Sequence, residues 1–222
     1  FDTEPTEAPD IQNLVVTVKE TKTGEFSFGG GYSSVDLLVG CAEITQKNFD
    51  ILNFPTFTGG GQNLAIRGEV GMVRNNFNVS WTDPWIFGWP FSFGFDAYQT
   101  THNKRGDVGW SYDEERTGGD ARLGKEFTDY IRGDLTYRLE QVRITDVIDN
   151  AYKDMKDEAG RNWISSIMAE LTLDTRDNIF DAASGSRQSL SCQTAGGRFG
   201  GDNNFIKAIF TYNKFFPTFW KL

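Results

Sequence analysis

From Phe77 onward apolar and polar residues alternate with period two. Phe77, Val79 and Trp81 stand against Asn78, Ser80 and Thr82; after Asp83-Pro84 and Gly88, Phe91, Phe93 and Phe95 stand against Ser92, Gly94 and Asp96. Period two sends each set to one face of a strand. The stretch therefore predicts two antiparallel strands around a tight turn, each with one aromatic-rich face and one polar face. Trp81, Trp85, Phe87, Trp89 and Phe91 crowd the turn. Amphipathic rings in such a cluster suit the level where lipid headgroups meet water, as a membrane-interface girdle. The polar face then lines a lumen, and the pattern is that of a transmembrane β-barrel.

The same alternation recurs along the chain. Glu25 to Ser33 carries Phe26, Phe28 and Tyr32 on one side and Ser27, Gly29 and Gly31 on the other. Leu37 to Gln46 follows, then Gln62 to Met72, with Leu64, Ile66, Val70 and Met72 expected outward and Asn63, Arg67 and Glu69 inward. Gly118 to Glu126 sets Ala121 and Leu123 against Asp120, Arg122 and Glu126. Ile131 to Gln141 is sharpest: Ile131, Leu135, Tyr137 and Leu139 oppose Arg132, Asp134, Thr136, Arg138 and Glu140. A dry core on that polar side would leave charges unpaired at a cost of several kcal/mol each, and a wet lumen removes the difficulty. Trp163 to Arg176, Ser186 to Ala195 and Asn204 to Phe215 complete ten predicted strands. Most reach the ~9–11 residues with which a tilted strand crosses a bilayer.

Two classes of connection alternate between them. One carries aromatics and turn formers: Phe49 to Gly61, Asp83 to Pro90, Phe127 to Tyr130, Thr175 to Gly185, and Pro217 onward. The other is polar: Ser33 to Asp36, Arg74 to Asn76, His102 to Arg116, Thr145 to Arg161 and Gly196 to Asn203. Alternation of this kind describes the two rims of a barrel, with the rim of long polar loops extracellular. Within one loop Ile148, Ala151, Tyr152, Met155 and Ala159 recur at helical spacing, with Thr145 or Asp146 as cap and Gly160 as stop. Upstream of the meander, Ile11 to Glu20 predicts one further strand, and Phe1 to Asp10 shows no periodicity.

Composition changes this picture little. The formal charge of -9 argues against a nucleic-acid partner, which needs clustered Lys and Arg. A mean hydropathy of -0.45 is compatible with a barrel, half of whose strand positions are polar. No run approaches the ~18 apolar residues of a membrane helix. Cys41 and Cys192 fall in different strands and are expected to be unpaired. Phe1 is not an initiator Met, and Phe219 to Leu222 reads as the opening of another strand, so the chain is expected to be a piece of a longer protein.

The run Val18-Lys19-Glu20-Thr21-Lys22-Thr23-Gly24-Glu25-Phe26-Ser27-Phe28-Gly29-Gly30-Gly31-Tyr32-Ser33-Ser34 resembles the junction between the last periplasmic POTRA domain and the first barrel strand of BamA-type outer-membrane assembly proteins. Ile44 to Phe49, Thr82-Asp83-Pro84-Trp85, Asp174-Thr175-Arg176-Asp177-Asn178 and Ser184-Gly185-Ser186 resemble further strand ends and turns of that family, in order. The resemblance implies an all-β, antiparallel up-and-down barrel of about sixteen strands. Residues 1–23 would be the end of a POTRA domain with its linker, and residues 24–222 the first ten strands. It also implies a non-enzymatic, cofactor-free factor of the cell outer membrane that folds and inserts barrel proteins. Its partners would be unfolded outer-membrane clients, accessory assembly lipoproteins, and outer-membrane lipid and lipopolysaccharide. A secretion translocator or passive pore of the same superfamily is the alternative, and a soluble ligand-binding barrel is a third reading. Ile66-Arg67-Gly68-Glu69 mimics the family's lumen-loop motif only superficially, because it sits in mid-strand with Glu in last place.

The first strand is the leading functional candidate: Phe26, Ser27, Phe28, Gly29, Gly30, Gly31 and Tyr32 as a lateral gate that pairs with a substrate strand. Each glycine weakens a strand by roughly 0.5–1 kcal/mol relative to Ala. An exposed edge can template an incoming strand through its backbone. The other reading is that the glycines permit curvature or close packing. Arg67, Glu69, Arg132, Asp134, Arg138 and Glu140, with Glu170 and Asp174, form an inward charged set, either a solvated wall of compensating pairs or a seat for a lumen loop. Asp174, Arg176 and Asp177 read as an acidic turn rather than a metal site. His102 is the single histidine, expected in a loop, and no nucleophile or phosphate-loop signature accompanies it.

Overall fold

The computed structural model describes residues 2–5, 12–15, 21–104, 111–149 and 151–217. Two short strands, β1 (Asp2–Pro5) and β2 (Gln12–Val15), pair antiparallel as a separate sheet, with Thr3 opposite Leu14. β1 falls in the segment without periodicity. Of the strand expected over Ile11 to Glu20, Ile11 and residues 16–20 lie outside the described residues.

The remaining ten strands are β3 (Gly24–Ser33), β4 (Leu37–Phe49), β5 (Gln62–Gly71), β6 (Arg74–Asp83), β7 (Ser92–His102), β8 (Asp113–Glu126), β9 (Ile131–Thr145), β10 (Gly160–Asp174), β11 (Gly185–Ala195) and β12 (Phe205–Phe215). They form one antiparallel sheet in strict sequence order, open between β3 and β12. An open ten-strand sheet with the glycine-rich strand at its edge is the architecture expected of part of a larger barrel.

Strand pairing resolves the two faces. Ser80, Asp96, Asp120, Arg138 and Ser166 stand opposite one another from β6 to β10. One residue along, Trp81, Phe95, Ala121, Tyr137 and Ile167 do the same. Leu135 and Arg132 fall on opposite faces, as do Phe77 and Asn78. Among the described residues neither face is covered by another layer. Val73, Val142 and Ala195 are the buried apolar residues among those described, whereas Phe28, Leu38, Val70, Phe77, Leu135, Leu171 and Phe210 lie exposed along one face. So large an apolar surface is foreign to a soluble monomer and suits lipid.

Several boundaries differ from the sequence reading. β8 begins at Asp113 rather than Gly118, and β9 runs on to Thr145. The charged stretch before Gly118 resembles a loop, but its charges are paired across and along the strands: Arg116 reaches Glu140 at 3.5 Å, and Arg143 lies 3.9 Å from Glu115. On the apolar face of β9 the hydrophobic band runs from Ile131 to Leu139 and gives way to Gln141 and Arg143. The extra residues thus continue the strand past the apolar band. His102 is the last residue of β7 rather than a loop residue. The turn expected over Arg74 to Asn76 is instead at Met72–Val73, and Arg74 already pairs with His102. The helix expected within Thr145 to Arg161 is only α1 (Lys153–Asp157), and Gly160, at φ 121°, opens β10 instead of ending a longer helix. Cys41 and Cys192 are both free.

Candidate functional site

β3 is exposed over its whole length and, among the described residues, pairs on one side only, with β4. Phe26, Phe28 and Tyr32 stand opposite Ile44, Ala42 and Leu38 on the apolar face; Ser27, Gly29 and Gly31 stand opposite Glu43, Cys41 and Val39 on the other. Gly30 faces Gly40, so the pairing is poorest in side chains at the strand's centre. The space around the three glycines is open. A Cβ on Gly31 would meet nothing within 4 Å, one on Gly30 only the Val39 carbonyl at 3.4 Å, and one on Gly29 only the Cys41 Sγ at 3.6 Å. Elsewhere on the polar face glycine is demanded by crowding: a Cβ on Gly118 would stand 2.6 Å from Glu140 Cβ, and one on Gly94 would stand 2.8 Å from Thr82 Oγ1. Close packing accounts for Gly94 and Gly118, whereas among the described residues nothing crowds the run in β3.

The girdle residues separate into two groups. Trp81 and Phe91 lie on the apolar side of the hairpin; Trp81 packs on Phe95 with ring centroids 5.5 Å apart and donates its indole N–H to Gln62 Oε1 at 3.0 Å. Trp85, Phe87 and Trp89 project from the turn beyond the strands. A short 3-10 segment, Ile86–Gly88, places Phe87 at φ 53° and leaves it 91% exposed. Asp83 Oδ1 accepts the Trp85 N–H at 2.9 Å and fixes the entry to the turn.

On the same rim the Thr175–Gly185 turn is organised by one carboxylate. Asp177 Oδ1 accepts the N–H groups of Asn178, Ser184 and Ala183 at 3.0, 3.0 and 3.1 Å. These donors, that of Ser184 foremost, hold its carboxyl below the usual carboxylate range. Three convergent backbone donors fix the conformation of the acidic turn.

The expected charged residues fall into several separate clusters rather than one. Arg67 and Arg74 both approach Glu69 at 3.6 Å, and Arg74 reaches Asp36 at 3.5 Å. Near the turn rim Arg132 donates to Asp134 through Nε and Nη2 at 2.9–3.0 Å, and to Ser92 Oγ at 3.2 Å. At the centre Arg138 donates to Asp120 at 3.1 Å, and Arg122 bridges Asp120 and Asp96. Glu140 accepts the Tyr98 hydroxyl at 2.8 Å and pairs with Arg116. Glu170 accepts from Thr172 at 3.3 Å, and Asp174 pairs with Arg176 at 2.7 Å. The alternation marks Asp96, Asp120 and Arg122 as polar positions but does not join them to the charged set. Register arithmetic does: counting outward from the turn at residues 127–130 sets Asp120 opposite Arg138.

Comparison with known proteins agrees with this geometry. Residues 56–222 match the Omp85 superfamily domain. The chain is 28% identical over 211 residues to the outer membrane protein assembly factor BamA of Nitratidesulfovibrio vulgaris, covering 95% of this chain and 25% of that protein. It is 26% identical over 212 residues to the protein of the same name from Neorickettsia risticii, covering 95% and 27%. The crystal structure of BamA from Haemophilus ducreyi lacking POTRA domains 1-3 superposes with a TM-score of 0.62 at 20% identity, over 86% of this chain and 37% of that one. The chain thus spans about a quarter of the length of the curated relatives it matches. A ten-strand, open, up-and-down sheet and a family match over three quarters of its length lead to one conclusion: this chain belongs to the Omp85 superfamily and is part of a β-barrel of the cell outer membrane.

Proposed function

We propose that this chain is the leading part of the barrel of an assembly factor that folds and inserts outer-membrane β-barrel proteins, and that β3 is its lateral gate. Residues 1–23 are read as the end of a periplasmic POTRA domain and its linker. Clients reach the factor as unfolded chains, with accessory lipoproteins beside it, and no bond-making chemistry is assigned to it. The apolar face carrying Phe77, Val79, Trp81, Phe91, Phe93 and Leu135 meets lipid, and the face carrying Arg67, Glu69, Arg132, Asp134, Arg138 and Glu140 lines the lumen. The aromatic turns mark the periplasmic rim and perturb the bilayer there.

One observation carries the gate: an edge strand holds three successive glycines where nothing crowds a side chain. Within these ten strands no neighbour crowds them, which supports the reading that they keep the pairing weak. A seam that must open gains from strands with low β-propensity, and the freed N–H and C=O groups are the template on which a client strand adds. A photoreactive side chain at Ser27 of the full-length protein, reconstituted in vesicles with a nascent client, is expected to give client adducts. The same group at Ser80, in a central strand, is expected to give none. Insertion that proceeds with equal yields at the two positions, as a passive pore would allow, overturns the gate.

A further inference from the structure

On the apolar face of β8 to β11 the sheet carries a hollow beside the aromatic rim. Two neighbouring cross-strand rows define it. Leu123, Leu135, Ala169 and Cys192 stand opposite one another in the first; Lys125, Gly133, Leu171 and Leu190 do so in the second. Gly133, Ala169 and Cys192 are small and make the floor, while the leucines around them make walls. Phe127 closes the rim end by folding its ring over Gly133, where a Cβ would stand 2.7 Å from Cε2.

Lys125 is out of place on this face. Its Nζ lies 4.6 Å from the centroid of the Phe91 ring and 5.9 Å from that of Phe127. Among the described residues it has no ion-pair partner, whereas Arg143, on the same face at the far rim, has Glu115. A second lysine repeats the pattern. Lys214 shares the face and the rim, opposite Ser186, with its Nζ 5.8 Å from the Phe216 ring and likewise no ion pair among the described residues. A cation that emerges from an apolar surface at the level of an aromatic belt sits where lipid phosphates lie, and its stem runs along the acyl region.

We propose that the hollow holds one anionic glycerophospholipid, with its phosphate at Lys125 Nζ and an acyl chain laid over Gly133, Ala169 and Cys192. Charge complementarity selects this occupant over a bare apolar partner, which would leave the ammonium with the two ring faces and no anion. A free phosphate would use the lysine and leave the hollow empty. The inference rests on the apolar face being the lipid-facing one.

The test is photolabelling of the full-length protein in vesicles of phosphatidylcholine with a minor fraction of phosphatidylglycerol carrying a diazirine in its acyl chain, with adducts mapped by mass spectrometry. Labelling is expected to concentrate at Leu135, Ala169 and Cys192 over Val79 and Ala97, on the same face of β6 and β7. Lys125→Gln should lower it about fivefold, the ratio that one surface lysine contributes toward anionic lipid. Ala169→Phe, which fills the hollow and leaves Lys125 in place, should abolish the enrichment, and excess inorganic phosphate should not compete. Even labelling of the whole face, unmoved by either variant, would overturn the site and leave the lipid-facing reading intact. Absence of labelling at Leu135, Val79 and Ala97 alike would overturn both.

Discussion

Gly118 and Gly31 both lie on the polar face of the same sheet, and they are glycine for different reasons. Gly118 sits under Glu140, whose carboxylate receives Tyr98 and Arg116; a Cβ there would press on Glu140 Cβ at 2.6 Å and on the Leu139 carbonyl at 2.8 Å. Gly31 has empty space where its Cβ would be. Gly118→Ala should therefore destabilise the barrel by about 1–3 kcal/mol, the usual range for overpacking. Gly31→Ala should be neutral or stabilising by up to about 1 kcal/mol, through a less flexible unfolded chain and better strand propensity. Urea unfolding of the full-length protein in vesicles reads both. Equal midpoints for the two variants would show that the distinction between crowded and open glycines has no energetic content.

At the scale of the element, the glycine run leaves the middle of β3 without side chains. Gly30→Val with Gly31→Val adds two β-branched side chains at sites that accept them, and it should shift an opening equilibrium by about 1–2 kcal/mol, or about 5–30-fold. Slower insertion of client barrels by the full-length protein is expected, with its own folding intact; an unchanged rate in reconstituted vesicles contradicts it. The strand itself is legible in the sequence, because Phe26, Phe28 and Tyr32 alternate with small and polar residues and one buried or lipid-facing side suffices to fix register. What hid Asp113 to Arg116 was charge. Alternation is a signal of unequal solvents on two faces, and it fades where a strand leaves the bilayer and both faces meet water. The same cause hid Arg74, which opens β6 beside Asp36 and Glu69. The short helix α1 failed in the other direction: Ile148, Ala151 and Tyr152 have helical spacing, but five residues close too few turns to bury a stripe. The charged set was legible as a face and illegible as groups, because pairing depends on register across strands rather than on spacing along one.

Taken whole, the sheet has two unsatisfied edges, β3 and β12, and two unequal faces. Edges of this length invite pairing with other chains unless the barrel closes, and closure is the only arrangement that satisfies every backbone group in hydrocarbon. On the proposed function β3 meets a closing strand in the full-length protein, and the glycine run lies at that junction. The faces then divide the labour. The ion-paired polar wall around Asp96, Asp120, Arg122 and Arg138 braces β7 to β9, well away from β3, so that the proposed opening there leaves it undisturbed. A cysteine placed at Ser27 and oxidised to a partner cysteine on the closing strand should lock the junction while leaving that wall untouched. Insertion of client barrels should then cease and return on reduction, with the locked barrel at least as resistant to urea as the reduced one, since the crosslink constrains the unfolded chain. If the locked protein inserts clients at the normal rate, the seam is a structural closure, and the open space around Gly29, Gly30 and Gly31 serves something other than opening.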